Sequence, residues 1–137
     1  NVAIAWARDP DTLAEARYKF ALSLIERAKA ESKSDAPGTR LEAKTVLVRA
    51  LASLRQNGAT DETSFGPSGR NWIASSILLL GSMHEEEGDK TEAIAVYRLI
   101  PELNRGLAPG ESRLPGQGAA ESKLASLRAS GNNQKPR

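Results

Sequence analysis

Residues 71–100 read NWIASSILLLGSMHEEEGDKTEAIAVYRLI, and this stretch decides the fold. Asn71 can cap a helix that runs from Trp72 to about Glu87, and Gly88 stops it. Asp89 immediately caps a second helix, helped by Glu92 three residues on, as a capping box requires. That helix carries Ala93, Val96, Tyr97 and Ile100 on one face. It then meets Pro101, which lacks a backbone donor and is expected to kink or end it. A connection as short as Gly88-Asp89 forces the two helices to lie antiparallel, so the segment predicts an αα-hairpin.

Toward the N-terminus the same signals recur. Thr12 with Glu15 offers a capping box for a helix from Thr12 to Ala30, with Pro10 before or in its first turn. Leu13, Phe20 and Leu24 form one apolar stripe, and Ala14, Tyr18, Ala21, Leu22 and Ile25 the next. A face that wide packs on more than one neighbour. Glu31–Gly38 is a polar turn, after which Thr39 and Glu42 offer a capping box for a helix ending near Gln56 before Asn57-Gly58. Ala43, Val46, Leu47, Ala50, Leu51 and Leu54 give that helix a regular amphipathic series. Ala59–Arg70 is expected to be a long loop.

Toward the C-terminus, Pro101–Gly118 is rich in Gly and Pro and predicts extended or loosely packed structure. A last helix over Ala119–Ala129 places Ala120, Leu124 and Leu127 on one face, and Ser130–Arg137 reads as a polar tail. Runs of alternating β-branched and aromatic residues are missing, so the chain is all-α with about five helices. The expected organisation is a single domain over 1–137. It comprises a helical pair over 12–56, a loop over 57–70, a second pair over 71–105, a Gly/Pro loop over 106–118, a closing helix over 119–129 and a tail over 130–137.

Composition removes many functions. The 137 residues include no Cys and a single His, His84, which excludes disulfides, thiol nucleophiles, Cys zinc sites and multi-His metal sites. Nineteen basic residues against seventeen acidic ones give a net charge of +2, which lends nucleic-acid binding no support. Apolar runs such as Ile77 to Leu80 are far too short for a membrane span, so no transmembrane segment is expected. A chain that opens on Asn1 reads as a processed protein or an excised fragment.

Residues 74–100 resemble the tetratricopeptide repeat, a helix-turn-helix unit of roughly 34 residues. Ile77, Leu80, Gly81 and His84 stand where that pattern has Trp, Leu, Gly and Tyr, and Ala93 and Tyr97 take its second-helix places. Small Gly81 and Ala93 let the helix backbones approach, while Leu80 and Tyr97 fill the space beside them. His84 for Tyr, Ile100 for a small residue and the early Pro101 depart from the pattern. Residues 12–56 resemble a degenerate first repeat, with Ala21, Ala43, Leu47 and Ala50 at the matching places and a turn longer than the repeat allows. The resemblance implies a right-handed helical solenoid. Its concave face would turn Ser75, Leu78, Ser82 and Glu85 toward a protein or peptide partner, Leu78 alternatively packing on the first helix. Lys and Asn, which clamp a peptide carboxylate in chaperone-binding members, are replaced by Leu78 and Ser82.

Other candidate chemistry gives way to simpler explanations. His84-Glu85-Glu86-Glu87 is not a zincin motif, because position 88 is Gly. Its carboxylates read as solvated surface charge near a helix C-terminus, where a partner or basic neighbour would compensate them. Gly66-Pro67-Ser68-Gly69 and Gly116-Gln117-Gly118 lack the Lys-Ser/Thr ending and preceding strand of a phosphate loop and read as turns. Asp9 with Asp11 and Asp61 with Glu62 read as caps and loop charges, and no serine has a credible base. Residues 98–137 carry seven basic against three acidic residues, a net of +4, without interleaved aromatics. The expectation is a non-catalytic protein-interaction or scaffold domain without cofactor or metal. An oligomerisation module, self-associating into a homo-oligomer, and an accessory domain of a larger envelope complex are the alternatives. Likeness to bacterial envelope proteins points to a periplasmic or cell-envelope setting, with the cytoplasm as alternative.

Overall fold

The computed structural model describes residues 10–56, 67–105 and 114–133, and among these the regular structure is all-α. The helices are α1 (Pro10–Ala30), α2 (Ala36–Gln56), α3 (Pro67–Glu86), α4 (Lys90–Tyr97), α5 (Leu99–Arg105) and α6 (Gln117–Asn133). The five expected helices are present, and α5 continues the fourth past Arg98. Among the described residues no helix is long and apolar enough to cross a membrane.

Boundaries differ where a proline or a buried polar residue overrides the simplest signal. Neither Thr12 nor Thr39 caps a helix, since both lie inside one. Pro37 sits in the first turn of α2, where its missing N–H has no intrahelical acceptor to lose. Thr39 is therefore drawn inward, only 8% exposed, and its hydroxyl donates to Glu31 Oε1 at 2.5 Å across the corner between α1 and α2. The turn is only Glu31–Asp35, shorter than expected, held by Ser32 and Asp35 through Asp35 N–Ser32 O at 3.1 Å and Ser32 Oγ–Asp35 Oδ2 at 3.1 Å. Pro67 likewise opens α3 four residues before Asn71, so Pro67–Arg70 is helix and not loop. The remainder of the expected loop, 57–66, lies outside the described residues, as do the side chain of Leu54 and the tail beyond Asn133.

The α3–α4 corner follows the sequence closely. Gly88 takes a left-handed φ of 79°, and Asp89 N and Gly88 N donate to His84 O at 2.9 Å and Glu85 O at 3.0 Å, a Schellman pair. Asp89 then accepts from Glu92 N at 3.2 Å as N-cap of α4. Pro101 has no N–H to return to Tyr97 O, and the helix breaks at Arg98. Helical bonds nonetheless flank the break, Arg98 N–Ile94 O at 3.1 Å and Glu102 N–Arg98 O at 3.0 Å, so Pro101–Arg105 is helical where extended or loosely packed chain was expected. The closing helix is longer at both ends than 119–129, and Ala120 N donates to Gly116 O at 2.9 Å in its first turn.

Packing joins α1 to α2, sets α3 against both, and lays α4 on α3. One apolar cluster runs through α1, α2 and α3, including Ala21, Leu24, Ala43, Leu47, Ile73 and Ile77. A second joins Ala93 and Tyr97 of α4 to Leu124 and Leu127 of α6. Tyr18 and Trp72 add a tilted ring contact between α1 and α3, centroids 5.4 Å apart, with Lys19 Nζ 5.6 Å from the Trp72 ring.

Candidate functional site

The stripe proposed from the sequence lies on α3, with Ser75, Leu78, Ser82 and Glu85 each about one turn from the next. All four are half-buried, and three of them are engaged within the chain. Leu78 packs against both apolar clusters, including the Leu124–Leu127 face of α6. A Cβ on Gly116 would come within 3.3 Å of its Cδ1. Ser82 turns its hydroxyl to Leu79 O at 2.8 Å. Glu85 accepts a hydrogen bond from the Tyr97 hydroxyl and pairs with Lys123 Nζ at 3.5 Å. The closing helix thus lies across the lower half of the stripe, and Ser75 sits at its other end.

The acidic run has structural partners. Arg40 of α2 reaches both Glu86 Oε1 (3.0 Å) and Glu87 Oε2 (3.2 Å), and Lys44, one turn on, reaches Glu87 Oε1 at 2.5 Å. Burial raises the Glu87 pKa, yet the hydrogen bonds and charges of Lys44 and Arg40 outweigh it and leave the carboxyl below its ordinary value. For Tyr97 every cause acts upward: burial first, then its bond to Glu85 and the charges of Glu85 and Glu86. The three carboxylates therefore tie the end of α3 to α2, α4 and α6. Among the described residues, Nδ1 of His84 is buried without a hydrogen-bond partner, and the adjacent carboxylates are taken by Arg40, Lys44, Tyr97 and Lys123.

Sequence reasoning missed Asn104. It is 2% exposed, donates to Leu114 O at 3.0 Å and Gln117 Oε1 at 2.9 Å, and accepts from Leu114 N at 2.7 Å. A side-chain amide thereby pairs both backbone groups of Leu114 and fastens the start of α6 to α5. The only advance sign was an amide residue beside apolar Leu103 in a Gly/Pro-rich stretch.

An open groove also went unread. Val48, Leu51, Leu80, Glu92, Val96 and Leu99 line about 280 Å³ between α2 and α4. Val48 is 50% exposed on its rim, and Leu41, two turns earlier on α2, is 61% exposed. With Thr45 and Ala52, both exposed, they form an i, i+4, i+7, i+11 stripe on the outer side of α2. Its spacing was visible, out of phase with the Ala43–Leu47–Ala50 core series.

Compared with known proteins, the chain matches no family model, no curated protein and no solved structure.

Proposed function

We propose that the chain is a non-catalytic protein-interaction domain built from tetratricopeptide-like hairpins, and that it holds an apolar segment of a partner protein in the groove between α2 and α4. The observation that carries this reading is the outward stripe of Leu41 and Val48 beside that groove. Large apolar side chains at such exposure, next to a concave surface, suit a helix or extended segment laid along it. The hairpin order, with α3 set against both α1 and α2, is compatible with repeat stacking. Because α6 and α4 engage Leu78 and Glu85, and the Ser82 hydroxyl is turned to Leu79 O of its own helix, the binding surface is assigned to α2 and α4 in place of the lower α3 stripe.

Affinity capture from native extract tests this, with wild type beside Val48→Glu, each confirmed folded by circular dichroism. A protein retained by wild type and lost by Val48→Glu supports the reading; equal retention removes the groove from consideration. A second reading, self-association, rests on the same stripe, because repeat units bury their faces against neighbours and two hairpins supply few of them. Light scattering separates the two: mass that rises with concentration in wild type and not in Val48→Glu identifies a second copy as the occupant.

A further inference from the structure

Arg98, Glu102 and Arg105 of α5 and its flank face Glu121, Leu124 and Arg128 of α6 across a cleft of about 270 Å³. The charged groups are spaced alike on both helices, at i, i+4 and i+7 against i and i+7, so each stripe begins and ends on a charge. Asn104 binds Gln117 at 2.9 Å, which sets the C-terminal end of α5 beside the N-terminal end of α6. Ala93 and Tyr97 of α4 pack on Leu124 and Leu127, farther along α6. The two stripes therefore run in opposite directions, and Arg98 and Arg128 share the end distant from Asn104.

Charge at that end is unbalanced. Glu102 is committed to Arg98, at 3.1 Å from Nη2, and among the described residues the other guanidinium donors of Arg98 have no ion-pair partner. Arg128 is exposed and, among the described residues, forms no ion pair. At the near end, Glu121 accepts from Gln117 Nε2 at 3.1 Å and no ion pair joins it to Arg105. Two guanidinium groups thus face one carboxylate over the Leu124 side chain, in a space smaller than drug-sized ligand pockets and suited to a small charged group. Planar guanidinium forks match the paired oxygens of carboxylates and phosphates.

We infer that the α5–α6 cleft is an oxyanion-binding site, in which Arg98 and Arg128 together hold a carboxylate or phosphate group. It is separate from the α2–α4 groove, so failure of either leaves the other standing. The test is NMR titration of the full chain with sodium phosphate and, separately, sodium acetate at constant ionic strength, following arginine Nε–H signals. The site predicts saturable shifts at Arg98 and Arg128, with affinity falling at least about tenfold in Arg128→Gln, the loss of one charge-assisted contact. Arg27→Gln, on distant α1, should bind as wild type does. Saturation by phosphate alone identifies a phosphate group as the ligand, and saturation by both anions a general oxyanion site. Shifts spread evenly over all arginines, no saturation with either anion, or unchanged affinity in Arg128→Gln would overturn the assignment. Arg128 is exposed, so the variant is expected to fold; unchanged amide signals in the α1–α3 core verify that.

Discussion

The ring of Tyr97 occupies the space that a side chain at Gly81 would need: an ideal Cβ there would lie 2.5 Å from Cε1 and 2.6 Å from Cζ. The contact ties α3 to α4 within two buried residues, and the Tyr97 hydroxyl continues it to Glu85. Gly81→Ala would gain about 1 kcal/mol of helix propensity. It would also overpack a full core, at a cost of about 1–3 kcal/mol, and displace the hydroxyl from its acceptor. The expected net result is destabilisation by about 1–3 kcal/mol in urea unfolding. In a Tyr97→Leu background the same substitution should cost much less, and equal costs in both backgrounds would show that the ring is not the obstacle.

Tyr97 also sets an alkaline limit. Its pKa is raised in the folded chain, so its contribution to stability is complete below the unfolded value of about 10 and is lost as pH rises above it. Unfolding midpoints should fall from about pH 10 upward in wild type and much less steeply in Tyr97→Phe. At neutral pH the Phe variant should be less stable by about 1–3 kcal/mol, since it loses a bond to a charged acceptor.

Glu87 acts at the other end of the scale. Its folded pKa lies below the unfolded one, so its contribution is present above about pH 4.3 and disappears as pH falls through the folded value. Glu87→Gln should cost about 1 kcal/mol at pH 7 in low salt, less in 1 M salt, and little at pH 3. Removing the exposed Lys29–Glu26 pair should change unfolding by under about 0.5 kcal/mol. An equal effect of the two changes would contradict a cross-link from α3 to α2.

Asn104→Leu would leave the buried N–H and C=O of Leu114 without their side-chain partners. A loss of about 2–4 kcal/mol is expected, from two groups left unsatisfied. Hydrogen exchange should locate the damage in α6 before α1 and α2; uniform loss of protection would mean that Asn104 supports the whole core instead.

The helical class and the α3–α4 hairpin were legible because Gly88, Asp89 and Glu92 act through local geometry, and the resemblance to the repeat pattern set Gly81 and Tyr97 beside the helix contact. Helix starts were less so. Pro10, Pro37 and Pro67 mark first turns, whereas Thr12, Thr39 and Asn71 had the better cap chemistry; at Thr39 the hydroxyl gains a partner in Glu31 from the neighbouring helix. The candidate site was least legible. Leu78 and Val48 are both half-spaced apolar residues on amphipathic helices, and which one faces solvent depends on α6, whose docking rests on Asn104 and a contact ten residues away in sequence. The partners of the acidic run, Arg40 and Lys44, are more than forty positions distant, beyond any local rule.

Denaturant unfolding of Leu78→Glu beside Val48→Glu tests most directly the claim that the lower α3 stripe is interior and the α2 stripe is surface. A carboxylate at position 78 would be forced between two apolar clusters, so that variant should lose several kcal/mol or fail to fold. Val48→Glu should unfold within about 0.5 kcal/mol of wild type. The opposite order, with position 78 tolerant and position 48 severely destabilised, would contradict the account and return the binding surface to Ser75, Leu78, Ser82 and Glu85.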